Sequence, residues 1–172
     1  MLSCFYSGFS LLDSEFPRRN PMNELSMKPF DAIEIGDEIG PLTYAPTMED
    51  IQRYATVVQM VDKRFMDPQI ARQRGFQHAI VPGPLSATFL ARMLTEYFPG
   101  WRLQTFNISF RAPVRHGDEL TCLGTVTQKD ELDGVYLIHC DIVAENTTGD
   151  RALVGTATLH PRFSHPAPAS GT

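Results

Sequence analysis

The pattern of apolar and polar positions divides the chain into a mixed first half and a strand-rich second half. Residues 30–44 indicate a turn followed by a short strand, and residues 48–58 carry apolar side chains at helical spacing. Asp67 followed by Pro68 combines a cap residue with a proline at the first helical position, which predicts the start of a second, short helix.

The strongest helical pattern begins at residues 81–84 and ends at residues 99–100, a Pro-Gly pair. Its apolar side chains cover too much of the helix circumference for a surface helix. They are Leu85, Phe89, Leu90, Met93, Leu94 and Tyr97. We therefore expect a central, largely buried helix.

Four β-rich segments follow this helix, at residues 106–110, 120–128, 135–144 and 152–160, with a connection at 129–134. The order is a strand, short helices, one long buried helix and four antiparallel strands. It predicts an α+β fold in which a curved antiparallel sheet wraps a long central helix, the layout of the hot-dog fold.

The composition of the chain limits the classes of partner that it can bind. A chain of 172 residues with a net charge of −5 is one domain without the basic surface that nucleic acids need. No apolar run approaches the roughly 20 residues of a membrane span. The three cysteines are scattered, which indicates a reducing compartment, the cytoplasm. The sequence shows neither metal-ligand spacing nor a cofactor motif.

We expect an N-terminal arm or start-site extension at 1–27, the domain at 28–164 and a flexible tail at 165–172.

Six short segments resemble the MaoC-like hydratases and dehydratases, in the order and spacing of that family. They are residues 65–72 (FMDPQIAR), 75–76 (GF), 81–85 (VPGPL), 110–114 (FRAPV), 117–120 (GDEL) and 155–157 (GTA). The resemblance implies a homodimer, or a heterodimer of similar subunits, with its pocket at the interface. It also implies an acyl-CoA or acyl-carrier thioester as substrate, and a lyase reaction that adds water to a 2-enoyl group or removes it from a 3-hydroxyacyl group.

Family members use an Asp and a His in the pattern Asp-x-Asn-Pro-x-His as general acid and base. In this chain the Asp position falls on Met60 and the His position on Phe65, and neither side chain can transfer a proton. Asp62, the carboxylate within the altered motif, is a candidate replacement, or a loop residue paired with Lys63 or Arg64.

His78 is a second candidate catalytic residue because it precedes the central helix closely, although an exposed loop histidine would look the same in sequence. The family's other element is retained. Gly83 presents its backbone N–H at the helix start, where the helix dipole favours a thioester oxygen, and Pro84 removes a competing donor. Ser86, one turn into the helix, either bonds substrate or packs against the sheet.

Arg111, Arg115 and His116 are candidate ligands for the CoA phosphates at the pocket entrance, since a guanidinium group suits phosphate. The alternative is two solvated arginines beside a turn.

Three functions remain open. The chain is a hydratase or dehydratase with replaced acid–base groups, a non-catalytic acyl-thioester-binding subunit that pairs with a catalytic homologue, or a hot-dog thioesterase. The last needs a carboxylate on the central helix near the thioester, and Glu96 lies at the far end. Without the Asp/His pair, we expect little or no standard hydratase activity from the isolated chain.

Overall fold

The computed structural model describes residues 27–132 and 134–162. Its elements are strand β1 (Glu38–Tyr44), helices α1 (Met48–Val57), α2 (Pro68–Gln73) and α3 (Gly83–Tyr97), and strands β2 (Trp101–Phe110), β3 (Leu120–Leu132), β4 (Val135–Glu145) and β5 (Arg151–Pro161). Short 3₁₀ turns occur at Phe30–Ala32 and Lys63–Phe65. The predicted arm, apart from Met27, and the whole of the predicted tail lie outside the described residues.

The five strands form one antiparallel sheet in the order β1-β3-β4-β5-β2. Helix α3 packs against the sheet, and six of its residues are buried, as expected of a central helix. Leu90 and Leu94 are fully buried, and the ring of Phe89 stacks on that of Tyr44 at 3.7 Å between centroids. The architecture confirms the predicted α+β hot-dog layout.

Two strand boundaries differ from the prediction. The expected connection at 129–134 is wrong, because β3 continues to Leu132 and pairs there with Val135 of β4 in a tight hairpin. Polar Lys129 is accommodated in this strand because its ammonium group donates to the carbonyl of Ile33 and lies over the ring of Phe30. Strand β2 begins at Trp101, since its whole length pairs with β5.

Residues 27–33, here called the N-terminal strap, pack on the domain near the end of α3. Trp101 donates its indole N–H to the carbonyl of Lys28 at 2.8 Å, and Ile33 is fully buried. Met27, the last residue of the predicted arm, packs against the core beside Gly100. No helix among residues 27–132 and 134–162 is long and apolar enough to span a membrane.

Candidate functional site

The site is built around the first turn of α3. Gly83 and Pro84 are its first two residues, after an extended Pro82. The first N–H groups of a helix have no partner within the helix and carry the positive end of its dipole, so this end suits an electron-rich oxygen. Gly83 is also in close contact with Phe110, because a Cβ atom on Gly83 would lie 2.8 Å from the Phe110 ring.

A cavity of about 330 Å³ opens beside this turn. Its walls are mainly apolar and come from the loop before α2, the segment leading into α3 and the end of β2. The lining residues are Phe65, Phe76, Ile80, Val81, Gly83, Ser86, Phe110, Arg111, Ala112, Pro113, Val114 and Leu153. A small, largely apolar cavity with a few polar groups is typical of ligand sites.

A larger open groove, of about 770 Å³, lies on the sheet and is lined by side chains such as Thr125, Asp141 and Thr156. None of the candidate catalytic or substrate-binding residues from the sequence analysis is among its lining residues. We place the functional site at the smaller cavity because that cavity brings together the retained helix start and the altered motif.

The two positions of the family dyad line different cavities. Phe65 lines the wall of the cavity beside Gly83, whereas Met60 lies in a separate cavity of about 230 Å³ with Ala55 and Met66. The altered motif therefore adds an aromatic ring, and no ionisable group, to the wall beside the helix start.

Asp62 is engaged with its own loop. Its carboxylate accepts from the backbone N–H of Arg64 at 3.0 Å, which caps the 3₁₀ turn Lys63–Phe65, and pairs with Arg64 Nε at 3.0 Å. The guanidinium group of Arg64 in turn lies 4.8 Å from the centroid of the Phe65 ring. His78 is exposed, and neither Asp62 nor His78 is among the residues lining the cavity.

His116 lies behind the cavity wall. Its Nε2 is 3.0 Å from the carbonyl oxygen of Phe65, and its backbone N–H donates to the carbonyl of Ala79 at 2.9 Å. Because a carbonyl can only accept, Nε2 carries the proton in this contact. Burial lowers the pKa of His116 below its ordinary value, although the carbonyls of Phe65 and Ile80 act in the opposite direction.

The two arginines differ in their relation to the cavity. Arg111 is exposed and lines the cavity where β2 ends, a position that suits a group reaching out toward solvent. Arg115 is also exposed, but it pairs with Ile80 in a β-bridge and its backbone N–H donates to Asp118 at 2.7 Å. Their role toward CoA phosphates stays a prediction.

Two features of the site were not predicted from the sequence. The rings of Phe76 and Phe110 form part of the wall, and only the fold brings them to the start of α3. Alternation along 106–110 indicated a strand but not the side on which Phe110 would lie. Among the described residues no group of three or more His, Cys, Asp or Glu side chains is placed to hold a metal ion.

Comparison with known proteins agrees with this architecture. The family model described as "MaoC like domain" matches residues 32–146. A mitochondrial 3-hydroxyacyl-[acyl-carrier-protein] dehydratase from Arabidopsis thaliana is 30% identical over 106 residues, which are 62% of this chain and 63% of that protein. The chain thus matches less than two thirds of that relative's length.

Two solved structures show the same fold. R-hydratase PhaJ1 from Pseudomonas aeruginosa, in its unliganded form, superposes with a TM-score of 0.71 at 21% identity, covering 85% of this chain and 97% of that one. The ChsH1-ChsH2 complex from Mycobacterium tuberculosis gives a TM-score of 0.65 at 22% identity, covering 75% of this chain and 98% of the matched one. With its hot-dog fold and a family match over residues 32–146, the chain belongs to the MaoC-like domain family.

Proposed function

We propose that this chain binds the acyl group of an acyl-CoA or acyl-carrier thioester at the start of α3, and that it is a non-catalytic subunit. The observation that carries the proposal is Phe65, an apolar ring at the family's histidine position, lining the same cavity as Gly83. The helix start can hold a thioester oxygen, while the cavity wall offers no base to move a proton.

The partner in this proposal is a homologous hot-dog subunit that carries the Asp/His pair. Strand β2 lies at an edge of the sheet, and edge strands need to be covered. The matched ChsH1-ChsH2 structure is a complex of two named proteins, which supports this kind of pairing. In the absence of that partner we expect a homodimer, and sedimentation of a stable monomer at micromolar concentration would count against this part of the proposal.

The experiment measures binding and turnover separately on the full chain. Calorimetric titration with crotonyl-CoA is expected to show binding, and the change in enoyl absorbance on hydration is expected to stay at the background rate. Rapid hydration by the isolated chain would refute the non-catalytic role and favour the enzyme hypothesis. Asp62→Ala and His78→Ala would then identify the replacement base.

The Phe65→His variant tests directly whether the missing histidine at this position accounts for the lack of turnover. An imidazole at this position places a general acid–base group in the cavity, where such groups contribute about 10²–10⁴-fold. We expect measurable hydration of crotonyl-CoA from this variant. Phe76→His is the matched control, because Phe76 lines the same cavity away from the family's histidine position. Equal activity of the two variants, or no activity in either, would argue against the assignment of residue 65 to the family's histidine position in this cavity.

The compartment is also a proposal. Cys122 and Cys140 are buried free thiols, which supports a reducing compartment such as the cytoplasm, whereas Cys4 lies outside the described residues. The Arabidopsis relative is named as mitochondrial. Imaging of the full chain with a C-terminal fluorescent tag in its own cell type distinguishes the two locations.

A further inference from the structure

One buried hydroxyl in the cavity wall is not explained by packing alone. Ser86 is fully buried, and it is the one buried side chain with a hydroxyl, amide or charged group within residues 27–132 and 134–162. It lines the cavity beside Gly83. A buried hydroxyl costs free energy unless it is well hydrogen-bonded. The hydrogen bonds of Ser86 therefore indicate whether its hydroxyl has a structural role or is available to bind a ligand.

Among the described residues, the Ser86 side chain makes one hydrogen bond, and that bond is long. Its Oγ lies 3.5 Å from the carbonyl oxygen of Pro82, which already accepts the backbone N–H of Ser86 at 3.1 Å. Three threonines in α1 and α3 make the same kind of helix-internal bond at ordinary lengths. They are Thr56 at 2.8 Å, Thr88 at 2.6 Å and Thr95 at 3.0 Å. The bond of Ser86 is at the outer limit of hydrogen-bond geometry and leaves the hydroxyl weakly satisfied.

The position of Ser86 determines which atom of a ligand its hydroxyl can contact. Side chains on a helix lean toward its N-terminus, so Ser86 lies over the turn that begins at Gly83. Residues three apart on a helix are neighbours, about 5–6 Å between their Cβ positions. A thioester oxygen at the Gly83 N–H therefore places the next two carbons of the acyl chain close to the Ser86 hydroxyl.

We infer that Ser86 is a specificity-determining residue that hydrogen-bonds an oxygen on the third carbon of the acyl group, so that the site prefers a 3-hydroxyacyl thioester to a saturated one. This inference rests on the proposed function, because it requires that a thioester occupies the cavity. The ligand hydroxyl replaces the long contact to Pro82 with a bond of ordinary length. Apart from Ser86 and Arg111, the side chains that line the cavity are apolar.

The test titrates the full chain with two matched ligands, butyryl-CoA and 3-hydroxybutyryl-CoA. A net hydrogen bond contributes about 1 kcal/mol, so the hydroxylated ligand is expected to bind roughly five- to tenfold more tightly to the wild type. Ser86→Ala is expected to abolish that preference, so that the two ligands bind the variant with equal affinity. Thr88→Ala removes an exposed hydroxyl from the same helix and should keep the preference.

Each outcome has a distinct meaning. If both ligands bind the wild type equally, the inference is refuted and the proposed function stands. If neither binds, the proposed function fails and the inference fails with it. If the wild type prefers the hydroxylated ligand and a folded Ser86→Ala variant keeps that preference, another residue reads the hydroxyl and the assignment to Ser86 is refuted. If Ser86→Ala does not fold, equal binding of the two ligands by the wild type still refutes the inference.

Discussion

The Nε2 atom of His116 lies 3.0 Å from the carbonyl oxygen of Phe65, so one imidazole ties the turn after β2 to the loop that carries the altered family motif. The same turn is joined to the segment before α3 by the Ile80–Arg115 bridge and by the bond from Val81 N–H to the Val114 carbonyl, at 2.8 Å. His116 therefore helps to hold two walls of the cavity in place, and its ring nitrogen is engaged with the protein itself.

The burial of this imidazole predicts a loss of stability in mild acid. Burial lowers the pKa of folded His116 below its ordinary value of 6.5, so the folded state favours the neutral ring. The resulting contribution to stability is fully present above pH 6.5 and is lost as the pH falls through the lower folded pKa. We expect the thermal midpoint of the wild type to fall in this window.

The control is His116→Gln, which keeps an amide donor toward the Phe65 carbonyl but does not titrate. Its thermal midpoint should change less over the same pH range, measured down to about pH 5, where carboxylates with a lowered pKa are still ionised. Such carboxylates include Asp50, Asp130 and Asp150. Parallel pH profiles for the two proteins would contradict the prediction.

Gly83→Ala should weaken thioester binding with little effect on folding. The new Cβ would approach the Phe110 ring to 2.8 Å, but that ring is 54% exposed and can move outward cheaply. The displaced ring and the added methyl group crowd the N–H that is proposed to hold the thioester oxygen. We expect five- to tenfold weaker binding of crotonyl-CoA by calorimetry, about the effect of one lost hydrogen bond.

Phe110→Ala combined with Gly83→Ala separates the two causes. If the displaced ring is responsible, the double variant should recover most of the lost affinity, because the clash is removed. Affinity that stays low in the double variant would show that the methyl group itself blocks the site. An unchanged affinity in the single variant would contradict the role of the helix start.

Gln59→Gly should stabilise the protein. Helix α1 ends in a Schellman arrangement, with Met60 N–H bonded to the Ala55 carbonyl and Gln59 N–H to the Thr56 carbonyl. Gln59 adopts φ 51°, a left-handed conformation that glycine takes without steric cost. We expect the free energy of unfolding in urea to rise by about 0.5–1 kcal/mol.

Gln52→Gly is the matched control, because Gln52 is exposed in the interior of the same helix. There glycine should lower the free energy of unfolding by about 1 kcal/mol. Two changes of the same sign would refute the assignment of Gln59 as the helix-terminating residue.

The N-terminal strap should be essential to stability. Ile33 is fully buried, and Phe30 lies against Tyr136 at 4.7 Å between ring centroids. Ile33→Ala removes buried methyl groups and should cost about 2–5 kcal/mol in the free energy of unfolding. Ile35→Ala, at a position that is 64% exposed, should change it by less than about 0.5 kcal/mol. Similar losses in both variants would contradict this account of the strap.

A shortened chain that starts at Met27 should keep the fold, because it retains every residue of the strap. Its thermal midpoint and sedimentation coefficient, corrected for mass, should match those of the full chain. Failure to fold, or loss of self-association, would show that residues before Met27 are structural.

The sequence by itself determined the elements and their order. The predicted helix from Leu85 to Tyr97 has apolar side chains on most sides and must therefore be buried on most sides. The sequence alone thus predicts that α3 is central. A local signal was equally informative at Asp67, which caps α2. The loss of proton-carrying side chains at Met60 and Phe65 was also visible in sequence alone, since it depends only on residue identity.

Only the tertiary structure decided which of these residues share a site. Met60 and Phe65 are close in sequence, yet they line different cavities because the chain turns at Lys63–Phe65. Phe110 lies against Gly83, and His116 contacts Phe65, although the two residues of each pair are far apart in the chain. The long bond of Ser86 is a distance between atoms, set by packing around α3, and no pattern of residue types encodes it. Long-range contacts of this kind arise from the summed packing of the whole sheet and helix, and for that reason they could not be inferred from local periodicity.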